Sequence, residues 1–266
     1  MTRRQALGQH FLTRHAILEK IIAVIAPRED DLIVEIGPGR GALTFPLAER
    51  CARLIAVEID PALIPGLREK EGDKIEIREG DILRTDLREI VRREAGRAKT
   101  LKLVGNLPYS ISSPLLFKIL DETDVIAACV FLLQKEVAER IAAGPGSKKF
   151  SPLSILLQID FEVRLRFAVA PGAFSPPPRV WSALVSLKKR VAPLYAIGDQ
   201  ARFRRFLRTA FGQRRKTFLN NMKTLAVPVE TIKQALNQVS LDEHTRSEQM
   251  TIGQLVELFE LLPARG

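Results

Sequence analysis

The chain has 266 residues, 46% hydrophobic and 27% charged, enough for one large domain and a small one built on an ordinary core. No apolar run approaches the ~20 residues that span a bilayer, and Met1-Thr2-Arg3-Arg4-Gln5 leads into no signal-peptide core, so cytoplasmic residence without a membrane partner is expected. The net charge of +10 points to a polyanion, but the excess is local: Ala201 to Lys223 carries Arg202, Arg204, Arg205, Arg208, Arg214, Arg215, Lys216 and Lys223 and no acid.

Metal chemistry is not expected. Cys51 and Cys129 have no metal-ligand spacing and read as small core residues, and His10, His15 and His244 form no pair at helical spacing.

In chain order, Leu32 to Ile36 is a strand that ends in Gly37-Pro38-Gly39-Arg40-Gly41, and Ala42 to Arg50 is a helix. Leu54 to Glu58 is a second strand, Pro61 to Glu69 a weaker helix, and Ile75 to Ile77 a third strand leading to Gly80-Asp81. Leu101 to Val104 is a fourth, ending at Asn106, and Val125 to Leu133 a fifth, followed by a helix from Gln134 to Ala143. Gly144 to Lys149 has the look of a mobile loop. Strands at Phe161 to Val169 and Val180 to Leu187, joined through Pro171-Gly172 and Pro176-Pro177-Pro178, suggest an antiparallel edge on a parallel sheet. Val191 to Gln200 is a linker. Beyond it Phe203, Phe206, Leu207, Ala210 and Phe211 make one apolar helical stripe closed by Gly212, with two or three more helices to Leu262. The fold class is thus α/β: a Rossmann-like, mostly parallel sheet over 1–190 and a small all-α domain over 191–266.

The glycine turn after the first strand is Gly-x-Gly-x-Gly, not the Gly-x-Gly-x-x-Gly of dinucleotide enzymes, and Glu35 stands two residues before it. A carboxylate there suits a cationic ligand without phosphate, such as S-adenosylmethionine with its sulfonium and ammonium groups. Glu58 ends the second strand, where it can take both ribose hydroxyl protons, and Asp81 follows the third, placed for the adenine amino group.

The fourth strand ends in Asn106-Leu107-Pro108-Tyr109. The exocyclic nitrogen of adenine is a weak nucleophile because its lone pair is delocalised into the ring. A site that accepts hydrogen bonds from both its protons helps to turn that lone pair towards a methyl donor. Asn106 supplies a side-chain carbonyl, Leu107 or Pro108 a backbone carbonyl, and Tyr109 a flat face for stacking. Phe174, in Phe174-Ser175-Pro176-Pro177-Pro178-Arg179-Val180, is a candidate for the opposite face of the base. No strong base is demanded, consistent with a target pocket without histidine.

These motifs, in this order, resemble the KsgA/Dim-type ribosomal RNA adenine N6,N6-dimethyltransferases. The resemblance begins at Leu7-Gly8-Gln9-His10-Phe11-Leu12 and runs through Glu35 to Gly41, Val57 to Asp60, Gly80 to Leu83, Asn106 to Tyr109 and Phe174 to Val180. It continues into Phe211 to Thr217 with Asn220-Asn221; Thr245 to Gln249 only approximates the family pattern. It implies His10, Leu12 and Gly37 at the cofactor, Glu58 on its ribose, Asp81 at its adenine, and Asn106 at both cofactor and target nitrogen. It also implies a substrate: two adjacent adenosines in the 3′-terminal hairpin loop of small-subunit rRNA on an immature particle. Arg179, Arg202, Arg205, Arg208, Arg214, Arg215 and Lys216 are the expected phosphate contacts, and a monomer is expected. Three rivals remain: a large-subunit rRNA adenine methyltransferase of the antibiotic-resistance type, a DNA adenine methyltransferase, and an assembly factor whose catalysis is dispensable.

Overall fold

The computed structural model describes residues 10–96, 100–224 and 227–263; Leu7, Gly8 and Gln9 of the first motif lie outside them. The elements are, in order, β1 (Phe11–Leu12), α1 (His15–Ile25), β2 (Asp31–Ile36), α2 (Thr44–Ala48), β3 (Arg53–Glu58), α3 (Ile64–Arg68), β4 (Ile75–Glu79), α4 (Leu87–Glu94) and β5 (Thr100–Asn106). There follow α5 (Ser112–Asp121), β6 (Ile126–Gln134), α6 (Lys135–Ile141), α7 (Pro152–Asp160), β7 (Phe161–Val169), β8 (Phe174–Ser175) and β9 (Ser182–Lys189). The last are α8 (Gln200–Ala210), α9 (Phe218–Met222), α10 (Val229–Gln238) and α11 (Ile252–Leu261).

Seven strands form one sheet in the order β4-β3-β2-β5-β6-β9-β7. The pairs from β4 to β6 are parallel, and β9 joins β6 antiparallel. β2 is buried along its whole length, as a parallel strand covered on both faces must be, and this explains its unbroken apolar run. The chain fills one half of the sheet with β2, β3 and β4, then crosses to β5 and β6. The strand order therefore reverses between β2 and β5, and a sheet of this kind binds ligands beyond its carboxyl ends at that point. Below it lies an aliphatic core that includes Ile33, Leu47, Leu54, Val104 and Leu132.

The short helices after β2 and β3 start two to three residues later than their patterns suggest, because the preceding residues are spent in turns. β6 runs on to Gln134, so the next helix begins at Lys135. Four helices have no counterpart in the sequence reading: α1, α4, α5 and α7. Two of these carry legible starts. Asp86 accepts from the N–H groups of Arg88 and Glu89, and Ser151 forms a capping box with Ser154 ahead of Pro152.

The chain divides into two compact units, Met1–Ala138 with Glu162–Lys189, and Glu139–Phe161 with Arg190–Gly266. The second is therefore discontinuous, taking in residues 139–161 that a single cut at 190 assigns to the first. Inside it the Arg190 N–H bonds the Asp160 carbonyl at 3.0 Å and the Leu194 N–H bonds the Ile159 carbonyl at 2.9 Å. Phe150 packs edge-on against Phe211, with ring centres 6.2 Å apart. The Gly144–Lys149 segment is tied down and not loose: the Gly146 N–H bonds the Glu248 carbonyl at 2.7 Å, and Lys149 pairs with Glu139. A cluster of Phe203, Phe206, Phe218 and Phe259 forms this unit's core. Among the described residues no helix is long and apolar enough to cross a membrane, no group of His, Cys, Asp and Glu is arranged to hold a metal, and both cysteines are buried and unpaired.

Candidate active site

A cavity of about 460 Å³ opens at the carboxyl ends of β2, β3, β4 and β5. His10, Leu12, Glu35, Gly37, Glu58, Asp81, Asn106, Leu107, Pro108 and Tyr109 all line it, so the sheet gathers nearly every residue proposed for the cofactor and the chemistry. The glycine turn supplies its floor. Gly37, Gly39 and Gly41 all have positive φ, and a Cβ on Gly41 would come within 2.2 Å of the Phe45 ring.

The carboxylates are held by backbone donors. Glu58, 2% exposed, accepts from the Gly39 N–H at 3.1 Å through one oxygen and from the Asp60 N–H at 2.9 Å through the other. Burial nonetheless raises its pKa above 4.5, against the pull of those hydrogen bonds. Asp81 accepts from the Leu83 N–H at 2.9 Å through Oδ1, which leaves Oδ2 for a ligand. Glu35 is the most perturbed carboxyl of the three. Burial lifts it to about 7, Thr44 pulls downward, and the charge on Glu58 pushes further up. The Thr44 hydroxyl stands close but outside hydrogen-bond geometry, and Glu35 Oε2 is buried without a partner. An unpaired buried carboxylate oxygen on a cavity wall is the mark of a site shaped for a cationic or protic ligand.

Asn106 donates its Nδ2 to the His10 carbonyl at 2.7 Å. That bond fixes the side-chain amide, so Oδ1 is the branch left as an acceptor. The Pro108 carbonyl already accepts from the Ile111 N–H at 3.2 Å and the Ser112 hydroxyl at 3.3 Å, closing the turn into α5. Of the two backbone acceptors that the sequence leaves open, Leu107 is therefore the freer. Tyr109 is half-buried, its hydroxyl 3.3 Å from that of Ser182 at the start of β9. His10 stands where the resemblance implies, on the cavity wall. The His10 ring lies 5.8 Å from the Tyr109 ring, and its Nδ1 donates to the Pro176 carbonyl at 2.8 Å.

Two expected residues stand elsewhere. Phe174 does not face Tyr109: it is 5% exposed and packs in the aliphatic core, because β8 pairs with β1 and places Phe174 opposite Leu12. Its neighbour Ser175 lines the cavity instead. Arg202 is committed internally, donating to the carbonyls of Phe259 and Leu262 at the end of α11 while its guanidinium lies 4.2 Å from the Phe259 ring centre. Arg179, Arg205, Arg208, Arg214, Arg215 and Lys216 are exposed, and the last three border a surface depression with Gln213. Within the Phe174–Val180 segment sequence reasoning chose Phe174 and not Ser175, and it did not name Ser182, whose hydroxyl meets that of Tyr109. A side chain that reaches the site from a strand distant in sequence leaves no local signal.

Carboxylates at successive strand ends, a glycine turn at the reversal of strand order and an Asn-Leu-Pro-Tyr turn after β5 define a class I methyltransferase. A family model described as ribosomal RNA adenine dimethylase matches residues 1–263. The chain is 42% identical over 267 residues to the ribosomal RNA small subunit methyltransferase A of Geobacter metallireducens, covering 99% of this chain and 96% of the relative. It is also 42% identical to the protein of that name from Xylella fastidiosa, over 96% and 94% of the two chains. Among solved structures it is similar to a dimethyladenosine transferase from Plasmodium falciparum (TM-score 0.78, 26% identity, 94% and 96% covered) and to the 23S rRNA methyltransferase ErmE (TM-score 0.74, 26% identity, 95% and 99% covered). The chain belongs to the ribosomal RNA adenine dimethylase family.

Proposed function

We propose that the protein transfers methyl groups from S-adenosylmethionine to N6 of two adjacent adenosines in the 3′-terminal hairpin loop of small-subunit rRNA, forming N6,N6-dimethyladenosine during ribosome assembly. The observation that supports this most is the anchored Asn106 amide, whose one free acceptor belongs to a cavity lined by three carboxylates. The relatives named for the small subunit are 42% identical and the large-subunit enzyme ErmE 26%, which favours the small subunit as substrate.

The donor, once bound, supplies an activated methyl group on a sulfonium. Every other task falls to the chain. Glu58 takes the ribose hydroxyls, its two oxygens aimed by the Gly39 and Asp60 N–H groups. Asp81 Oδ2 takes the adenine amino group, and Glu35 offers its unpaired oxygen to the amino-acid end beside Gly37. In the first transfer Asn106 Oδ1 and the Leu107 carbonyl hold the two protons of the target amino group, one of which is lost to solvent as the methyl arrives; in the second, one acceptor holds the proton that remains. That leaves the nitrogen lone pair to point along the line of displacement. Tyr109 supports the base from one face, with Ser182 fixing its hydroxyl. A loop base enters such a pocket with less unstacking than a paired one. Exposed Arg179, Arg205, Arg208, Arg214, Arg215 and Lys216 hold phosphates without reading sequence. No metal is assigned to any step.

Incubation with S-adenosylmethionine and under-methylated small subunits, followed by nucleoside analysis, is expected to yield N6,N6-dimethyladenosine. Modification confined to large subunits or DNA overturns the proposal.

A further inference from the structure

The chain's single tryptophan, Trp181, is 51% exposed. Isolated exposed apolar side chains are ordinary on protein surfaces, so exposure alone means little. Its place does more. Trp181 directly precedes Ser182, whose hydroxyl meets that of Tyr109 on the wall of the target pocket. Its backbone does not swing freely, because its carbonyl accepts from the Lys135 N–H at 2.9 Å, continuing the β6–β9 ladder one step past Gln134 and Ser182. The Lys135 ammonium stands 5.9 Å from the ring centre, and Val180 and Arg179 just upstream are exposed. A half-bare indole on an anchored backbone, with the Lys135 ammonium beside it and one residue along the chain from the hydroxyl that meets Tyr109, has the make-up of a single-strand stacking platform.

We infer that Trp181 stacks on an unpaired nucleobase next to the adenosine being methylated, and so sets how the loop enters the site. This rests on the function proposed above, in which the two target adenosines are neighbours. While one occupies the pocket, the other is a single nucleotide step away and needs a surface to lie on. An indole gives every base a flat partner whatever its identity, so Trp181 serves both transfers as the two adenosines exchange places.

The test is steady-state methylation of under-methylated small subunits by the wild-type chain and by W181A, W181F and W181L. The expected result for W181A is a KM for subunits raised about 5- to 100-fold, with kcat within about twofold of wild type. W181F restores most of the affinity, because a phenyl ring still stacks. W181L, apolar but without a ring face, behaves like W181A. Affinity for S-adenosylhomocysteine, measured by calorimetry, stays the same in all four. An unchanged KM in W181A, equal impairment of W181F and W181A, or a parallel loss of cofactor affinity overturns the inference while leaving the proposed function standing. A wild-type chain inert on small subunits overturns both.

Discussion

The carboxylates of the crevice and the arginines of the helical unit are the two charged groups from which function is argued, and they are placed in opposite ways. Glu35 and Glu58 are each 2% exposed, sunk at strand ends, whereas Arg205, Arg208, Arg214 and Arg215 stand in solvent. Burying a carboxylate is costly unless something compensates, and for Glu58 the compensation is two backbone N–H groups. For Glu35 it is incomplete, which points to a ligand. An exposed guanidinium costs almost nothing and so reveals almost nothing. The run without acids from Ala201 to Lys223 makes every basic residue in it look alike. Yet Arg202 turns inward, closing the end of α11 through Nη2 and laying its guanidinium against the Phe259 ring. Burial, not sign of charge, separates the informative residues from the others.

The largest effect that sharpens this contrast belongs to Asn106, an uncharged residue among the carboxylates. Asn106→Ala removes one acceptor for the target amino group and frees the His10 carbonyl. Methyl transfer is expected to fall by about 100- to 1,000-fold, the scale seen when one preorganised polar group is lost from a reacting centre. Binding of the small subunit, followed by sedimentation, should change by less than about twofold. Transfer close to wild type would break the assignment of the chemistry to the β5 turn. Loss of binding together with transfer would assign Asn106 to holding the fold around His10 instead.

Glu35 tests the buried side directly. Its carboxyl titrates near 7, against an ordinary value of 4.5, because burial disfavours the charged form. Between those two values the unfolded chain is ionised while the folded chain keeps its proton. Stability from this group is therefore fully present below about 4.5 and is lost as pH rises through 7. The difference is on the order of 3 kcal/mol. In Glu35→Gln that slope should vanish, and denaturant unfolding at pH 8 should show the variant more stable than wild type. A cationic ligand favours the ionised carboxylate. S-adenosylmethionine should then bind wild type more tightly as pH passes from 6 to 8, with the variant's affinity flat over the same range. A stability difference independent of pH would mean that Glu35 is not the titrating group.

What the amino-acid sequence discloses follows the same division. Residues at the ends of β2, β3, β4 and β5 are legible because an apolar strand run ends where its ligand crevice begins, so Glu35, Glu58, Asp81 and Asn106 fall into place together. Phe174 is not legible. A Phe before a proline run serves a base face or a core equally well, and the choice is made by β1, two residues long and more than 160 positions away. The discontinuous second unit is hidden for a related reason: nothing local to Phe150 indicates that it packs on Phe211. Helix α7 is a different case, since Ser151, Pro152 and Ser154 spell its start, and the apolar run after them is equally compatible with a strand.

The exposed side yields the smaller effects, and a paired experiment divides it. Replacing Arg214, Arg215 and Lys216 together by Ala should weaken subunit binding and reduce the slope of log K against log salt by about 2 to 3, at ~0.7 to 0.9 per phosphate contact. Thermal stability should hardly move, because all three lie on the surface around a depression. Arg202→Ala should do the reverse. It uncaps the carbonyls of Phe259 and Leu262 and removes the cation from the Phe259 ring, costing about 1–2 kcal/mol of stability. The salt slope and the KM for small subunits should stay at wild-type values. If Arg202→Ala lowers the salt slope as an added phosphate contact would, the internal bonds are dispensable, and the run from Ala201 to Lys223 acts as the undivided basic surface its composition suggests.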